Sequence, residues 1–199
     1  MLNNDTIIFV MNTLFIDVET TGLPENRGFN NYHHPSKLFY YKNSRLIELA
    51  YIIYNNNNEI VKKVENLIKP VDFTIENSEF HGITTKMALT EGKDLSKVLD
   101  ELCNDLDNVD TIVAHNINFD INIILAECYK EKKQNLIKHL ESINRICTMD
   151  LGKTYMNTKK YPKLIELYQH LFDKTITQEH RALSDTHICA DCYYEMIRH

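Results

Sequence analysis

The stretch Leu14-Phe15-Ile16-Asp17-Val18-Glu19-Thr20-Thr21-Gly22-Leu23 constrains the fold more than any other part of the chain. An apolar run passes without a break into alternating carboxylate, valine and carboxylate. Alternation with period two marks a strand and puts Asp17 and Glu19 side by side on one of its faces. Two like charges that close raise a pKa or require a cation between them. Oxygen ligands of this kind suit Mg²⁺ or Mn²⁺. Thr20-Thr21-Gly22 then ends the strand in a tight turn whose amides could face an anion. Taken alone, the same residues also describe two solvated acids at a strand end.

Two further acidic motifs lie downstream. Thr111-Ile112-Val113-Ala114 reads as a short buried strand that runs into Ala114-His115-Asn116-Ile117-Asn118-Phe119-Asp120. Ile117, Ile121, Ile124 and Leu125 then continue as an amphipathic helix. Asp120 falls in its first turns, where a carboxylate complements the helix dipole, so its plain reading is a surface acid. The third motif, His180-Arg181-Ala182-Leu183-Ser184-Asp185-Thr186, opens a final helix with Ile188, Cys189, Cys192 and Met196 at apolar spacing. His180 and Asp185 cannot share a helix face, so His180 must stand on the preceding loop if both reach one site.

Between the motifs, Leu46 to Tyr54 reads as a largely buried strand, Asn55 to Asn58 as a turn and Glu59 to Ile68 as the returning strand of a hairpin. His81-Gly82-Ile83-Thr84 is a turn before a short helix that Thr84 or Thr85 could cap. Leu95, Val98, Leu99 and Leu102 have helical spacing behind Asp94 as N-cap. Ile146-Cys147-Thr148-Met149 suggests another short strand, and Leu164, Leu167, Tyr168 and Leu171 a helix. Lys159, Lys160 and Lys163 around Tyr161-Pro162 are either a solvated helix start or a phosphate-contacting edge. Pro24 to Asn43 is polar and aromatic without a sustained period, which makes it a long loop with a short helical turn.

The 199 residues suit one domain, residues 1–199, with a full core. No apolar run reaches the length of a membrane span. Ile7 to Met11 is short and follows Asp5, against a secretory leader, and Met11 is an alternative start. Cys103, Cys128, Cys147, Cys189 and Cys192 have no disulfide-framework spacing; reduced thiols point to an intracellular, cytoplasmic setting. Cys189 and Cys192 read as a buried helical face rather than a zinc pair. The net charge of −6 argues at first against a nucleic-acid partner, but four carboxylates committed to metal would leave −6 + 4 = −2. No G-x-G-x-x-G occurs, which removes a dinucleotide-dependent enzyme.

With Asp-x-Glu-Thr on a strand, His-Asn-x-x-Phe-Asp on a helix and His-x-x-x-x-Asp near the C-terminus, the chain resembles the DEDDh family of 3′–5′ exonucleases. That DnaQ-like group of the ribonuclease H-like superfamily includes polymerase proofreading domains and ribonuclease T. The resemblance runs from about Leu14 to the last helix. The departure is the insertion at 24–43, which looks like longer loops in some exonucleases of large DNA viruses. The resemblance implies an α/β fold with a five-stranded mixed sheet flanked by helices. It implies two Mg²⁺ or Mn²⁺ ions held by Asp17, Glu19, Asp120 and Asp185, with Asp17 bridging them about 3.5–4 Å apart. His180 would take the proton of the attacking water. Thr20, Thr21, Gly22, Leu23, His81, His115, Asn116 and Phe119 would hold the terminal nucleotide, with Leu23 and Phe119 as apolar contacts to its base. The implied partner is a single-stranded or frayed 3′ end, in a proofreading or repair role; a homodimer or a polymerase partner stays open. The alternative is a catalytically inactive nucleic-acid-binding or polymerase-associated scaffold.

Overall fold

The computed structural model describes residues 12–177 and 180–198, so the readings of Ile7 to Met11 lie outside the described residues. Strands β1 (Asn12–Thr20), β2 (Leu46–Tyr54), β3 (Ile60–Leu67), β4 (Val109–Ala114) and β5 (Asn144–Cys147) form one sheet in the order β3-β2-β1-β4-β5. The helices are α1 (Ser78–His81), α2 (Thr85–Glu91), α3 (Leu95–Asp105), α4 (Ile117–Glu131), α5 (Gln134–Ser142), α6 (Thr148–Tyr155), α7 (Leu164–Phe172) and α8 (Ala182–Ile197). β1, β2 and β3 run antiparallel in sequence, whereas β4 pairs parallel to β1 and β5 parallel to β4. The sheet is therefore mixed and five-stranded, as the resemblance implied.

Period-two alternation sorts β1 onto two cores. Leu14, Ile16 and Val18 face a layer built from α3, α4 and α5, while Phe15 faces α7 and α8. β2, covered on both faces and flanked on both edges, is buried along all nine residues. Phe15 is fully buried, with ring centroids 5.3 Å from Tyr54, 5.5 Å from Tyr193 and 5.4 Å from Tyr194. It therefore ties the strand of Asp17 to the helix of Asp185, and truncating such a phenylalanine costs about 3–5 kcal/mol.

Capping follows the sequence closely. The Thr84 hydroxyl accepts the Met87 N–H, and the Asp94 carboxylate accepts the Lys97 N–H. The Asn55–Asn58 turn closes on Asn58 at φ 60°, with Asn55 Oδ1 accepting the N–H groups of Asn57 and Glu59. Two elements correct the sequence reading. Thr148 and Met149 do not extend β5; the ladder with β4 ends at the pair Ala114 and Cys147, so Thr148 has no strand partner and starts α6. α5 also went unread, although Leu136, Ile137 and Leu140 bury one helical face.

Candidate active site

The site forms where β1 outruns β4. The parallel pairing of β1 with β4 stops at Phe15 and Val113, and β4 turns into α4 soon after. The β4-side edge of β1 beyond Phe15 is thus left open. Asp120, in the first turn of α4, fills it: its Oδ1 accepts the Val18 N–H at 3.2 Å. Asp120 is consequently buried, not the surface acid that its position on a helix suggested. Ligand crevices in open α/β sheets lie at such divergence points, beyond the carboxyl ends of the strands.

Asp17 and Glu19 project from the same face of β1, and Asp185 comes down from the first turn of α8. Oxygen atoms of these three carboxylates lie within 4.8 Å of one another. Burial, then the charges of Asp120, Asp185, Glu19 and Glu48, push the Asp17 carboxyl well above its usual range. Glu19 is pushed up to about 8 by burial and by Asp185, Glu48 and Asp120, with Arg181 partly offsetting the rise. Burial also raises Asp120, against the two backbone N–H groups that it accepts. Acids this close cannot all ionise at neutral pH without a countercharge. Converging carboxylate oxygens of this kind fit a hard divalent cation, so the donor set agrees with Mg²⁺ or Mn²⁺.

The turn after β1 is tied to the start of β2. Thr20 and Ser44 hydroxyls both donate to the Gly22 carbonyl at 2.7 Å, and the Thr21 hydroxyl donates to the Asn43 carbonyl. The Thr21 N–H donates to the Arg45 carbonyl at 2.9 Å, so it is spent inside the protein rather than offered to an anion. A Cβ on Gly22 would come within 2.9 Å of the Asn43 carbonyl, which is why glycine stands there. Leu23, 76% exposed, projects from this fixed turn.

His115 bridges the site wall. Its Nε2 lies 3.0 Å from the Pro162 carbonyl and its Nδ1 3.0 Å from the Thr148 hydroxyl, an arrangement that suits the neutral ring protonated on Nε2. Burial pushes its pKa down to about 4. Both nitrogens are engaged, so its role toward a ligand would be shape. Asn116 takes φ 71° to turn β4 into α4, and Phe119 lies half-buried beside Tyr32. His81 is buried, with Nδ1 accepting the Ile83 N–H and Nε2 without a partner among the described residues. His180 is exposed, precedes α8 on a non-helical stretch and holds φ 49°. That is the loop position its spacing from Asp185 demanded.

The insertion divides its aromatics between two tasks. Tyr41 is buried and its hydroxyl donates to the His33 carbonyl; Tyr40 stacks on His33. Tyr32 turns toward the site, where burial raises its phenol, the Asn116 amide opposes the rise and the Asp120 charge adds to it. Phe29 and Phe39 stay 67% and 63% exposed, Phe29 stacked on Tyr161 at 4.9 Å. Of the lysines near Tyr161, Lys160 pairs with Glu166 at 2.9 Å and Lys153 sits over the Tyr161 ring. Sequence reasoning passed over Glu48 and Arg181, which flank the cluster. The available signal was a lone carboxylate inside the apolar run Leu46 to Tyr54.

The sequence matches the family model described as Exonuclease (RNase_T) over residues 14–193. No curated protein matches it. Among solved structures, E. coli Exonuclease I in complex with a dT13 oligonucleotide is similar with a TM-score of 0.71 and 16% identity, covering 94% of this chain and 41% of that one. Its complex with a dA16 oligonucleotide gives 0.68 and 15%, covering 94% and 41%. The zinc-ion-bound form of the E. coli ExoI–ssDNA complex gives 0.69 and 16%, covering 95% and 40%. At these identities the likeness is one of fold, and the chain spans about two fifths of the length of those proteins.

Proposed function

Because the chain belongs to the Exonuclease (RNase_T) family, we propose that it is a divalent-metal-dependent 3′–5′ exonuclease that releases nucleoside 5′-monophosphates from single-stranded or frayed 3′ ends. The observation that carries this reading is the convergence of Asp17, Glu19 and Asp185 within 4.8 Å at the open end of β1. Asp17, Glu19 and Asp185 would hold one Mg²⁺ or Mn²⁺ ion, and Asp17 with Asp120 a second. When bound, such ions acidify a water and stabilise the oxygen that leaves phosphorus.

The chain's own residues supply the rest. His180, on its exposed loop, accepts the proton that the water gives up as its oxygen bonds to phosphorus. The 3′ oxygen of the penultimate nucleotide departs with the shortened strand. Leu23 and the half-buried Phe119 offer apolar faces to the terminal base, which tolerate every base alike. Thr21 and Gly22 hold Leu23 in place through their bonds to residues 43–45, and the Thr20 hydroxyl adds a bond to the Gly22 carbonyl. Asn116 and His115 shape the wall opposite, and buried His81 supports the turn at Ile83. The oligonucleotide complexes of E. coli Exonuclease I make single-stranded DNA the first substrate to test.

The test is digestion of matched 3′-labelled DNA and RNA oligonucleotides, single-stranded, paired and mismatched, with Mg²⁺ or Mn²⁺. Mononucleotides should appear from the first time point and vanish in chelator. Strand binding without release in either metal would instead identify an inactive nucleic-acid-binding protein.

A further inference from the structure

We propose that Glu48 and Arg181 form a positioning clamp that sets His180 and Asp185 against the acids of β1, and that turnover depends on it; this rests on the nuclease reading above. Glu48 lies on β2 directly across from Glu19 in the strand register, and its side chain is fully buried. A buried carboxylate beside a like charge is a costly choice at a strand position. Arg181 answers it from the α8 side. Its Nε lies 3.1 and 3.2 Å from the two Glu48 oxygens, and a terminal nitrogen reaches Oε1 at 2.5 Å.

The same carboxylate receives more than the guanidinium. Glu48 Oε2 accepts the Ala182 N–H at 2.9 Å, the first amide of α8, which has no partner inside the helix. One side chain therefore fixes both Arg181 and the first residue of the helix. The same terminal nitrogen extends to Glu65 on β3 at 3.2 Å, so the grip spans two strands. His180 adjoins the clamp on one side. On the other, the Asp185 N–H donates to the Arg181 carbonyl at 3.0 Å, closing the first turn. Proton acceptor and metal-binding acid thus hang from one anchored residue.

Stability is a poor explanation for this arrangement. A buried ion pair gains little over a well-packed apolar pair, because both partners lose their hydration. What the pair supplies is a fixed place for a segment that is exposed at His180. Arg181 also draws down the Glu19 pKa that the surrounding acids raise. Glu48 is faced by Glu19 and Asp17 from β1, by His81 and by Arg181, and it shares Arg181 with Glu65 of β3.

Three variants of the full chain test the clamp: Glu48→Gln, Arg181→Lys and Arg181→Met. Glutamine keeps the size of Glu48 and an acceptor for Ala182 but presents an amide to the guanidinium. Partners that orient metal-binding groups cost about 10- to 100-fold when removed, so kcat of Glu48→Gln and Arg181→Met at saturating Mn²⁺ should fall by that much. KM for a labelled single-stranded oligonucleotide should stay within about threefold, since the nucleotide contacts are elsewhere. Arg181→Lys should fall between, because an ammonium keeps the charge and loses the fork. Amide exchange across residues 180–186 should quicken in step with the loss of kcat. A role confined to stability would lower the melting temperature and leave kcat at saturating metal unchanged; kcat within about twofold of wild type in folded Glu48→Gln or Arg181→Met overturns the clamp. If Glu48→Gln does not fold, the two Arg181 variants decide on the same criteria. If the wild-type chain releases no nucleotide, the nuclease reading falls, and unchanged exchange across 180–186 in the variants removes the clamp independently.

Discussion

Replacing Glu19 with Gln should make the metal-free protein more stable, and by an amount that grows with pH. Burial and the surrounding acids raise the Glu19 pKa from an ordinary 4.5 to about 8 in the folded chain. Between those values the folded state binds a proton that the unfolded chain has released. Stability therefore falls as pH rises through this window and is highest below 4.5. Integrating the two titrations gives a penalty of about 1 kcal/mol at pH 5 and about 4 kcal/mol at pH 8. Glu19 is only partly buried, and water reaching it trims the second figure, so Glu19→Gln should stabilise by about 2–4 kcal/mol at pH 8 and by no more than about 1 kcal/mol at pH 5. Urea unfolding in chelator at both pH values, wild type beside variant, measures the difference directly. Adding Mn²⁺ should reverse the order at pH 8, because a ligand that binds only the folded state stabilises the chain that keeps its carboxylate. Equal effects of the substitution at the two pH values, or destabilisation at pH 8 in chelator, would refute the electrostatic account of the site.

Asp17→Ala and Asp185→Ala should each abolish metal-dependent nucleotide release and weaken Mn²⁺ binding by calorimetry while the fold persists in circular dichroism. His180→Ala should cut kcat by about 10²- to 10⁴-fold with Mn²⁺ affinity almost unchanged, the pattern of a lost proton acceptor rather than a lost ligand. His115, whose pKa is lowered to about 4 from 6.5, contributes stability that is present above 6.5 and lost as pH falls toward 4; His115→Asn should flatten acid unfolding over that window. Phe29→Ala and Phe39→Ala should leave stability within about 0.5 kcal/mol and raise KM for long oligonucleotides, but not for dinucleotides, if those exposed rings stack on upstream bases.

The strand of Asp17 and Glu19, the β2–β3 hairpin and both side-chain caps were legible because each rests on local rules: alternation, turn chemistry and an acceptor before a helix. Asp120 was legible as a helix-start acid but not as a buried one. Its burial depends on β4 leaving β1 after Phe15, a fact of pairing that no local pattern carries. Thr148 was misread for the same reason, since its fate depends on where the β4 ladder stops. Glu48 was hidden by its surroundings. A nine-residue apolar run reads as a core strand whether or not one of its members is an acid, and its partner Arg181 lies 133 residues away. The insertion resisted reading because its aromatics serve opposite ends: Tyr41 is buried while Phe39, two residues before it, is exposed.

The geometry of the sheet explains why these groups meet. A strand that ran its full length between two neighbours would spend the Val18 N–H on a ladder and leave no opening for Asp120. Because β4 departs early, a helix-borne carboxylate takes that N–H and arrives next to Asp17. On the opposite side, β2 stays paired to the end of β1 and brings Glu48 level with Glu19. That places a fifth acid beside the cluster, which only worsens the repulsion unless a cation comes with it. Arg181 is that cation, and it enters together with the start of α8 and with Asp185. The acid that aggravates the site electrostatically is thus the one that anchors the helix completing it. If that is its function, Glu48→Leu, which fills the space but strips the acceptor from Arg181 and from the Ala182 N–H, should destabilise the protein and lower kcat together. A variant that gained stability and kept full turnover would show that Glu48 is packing alone.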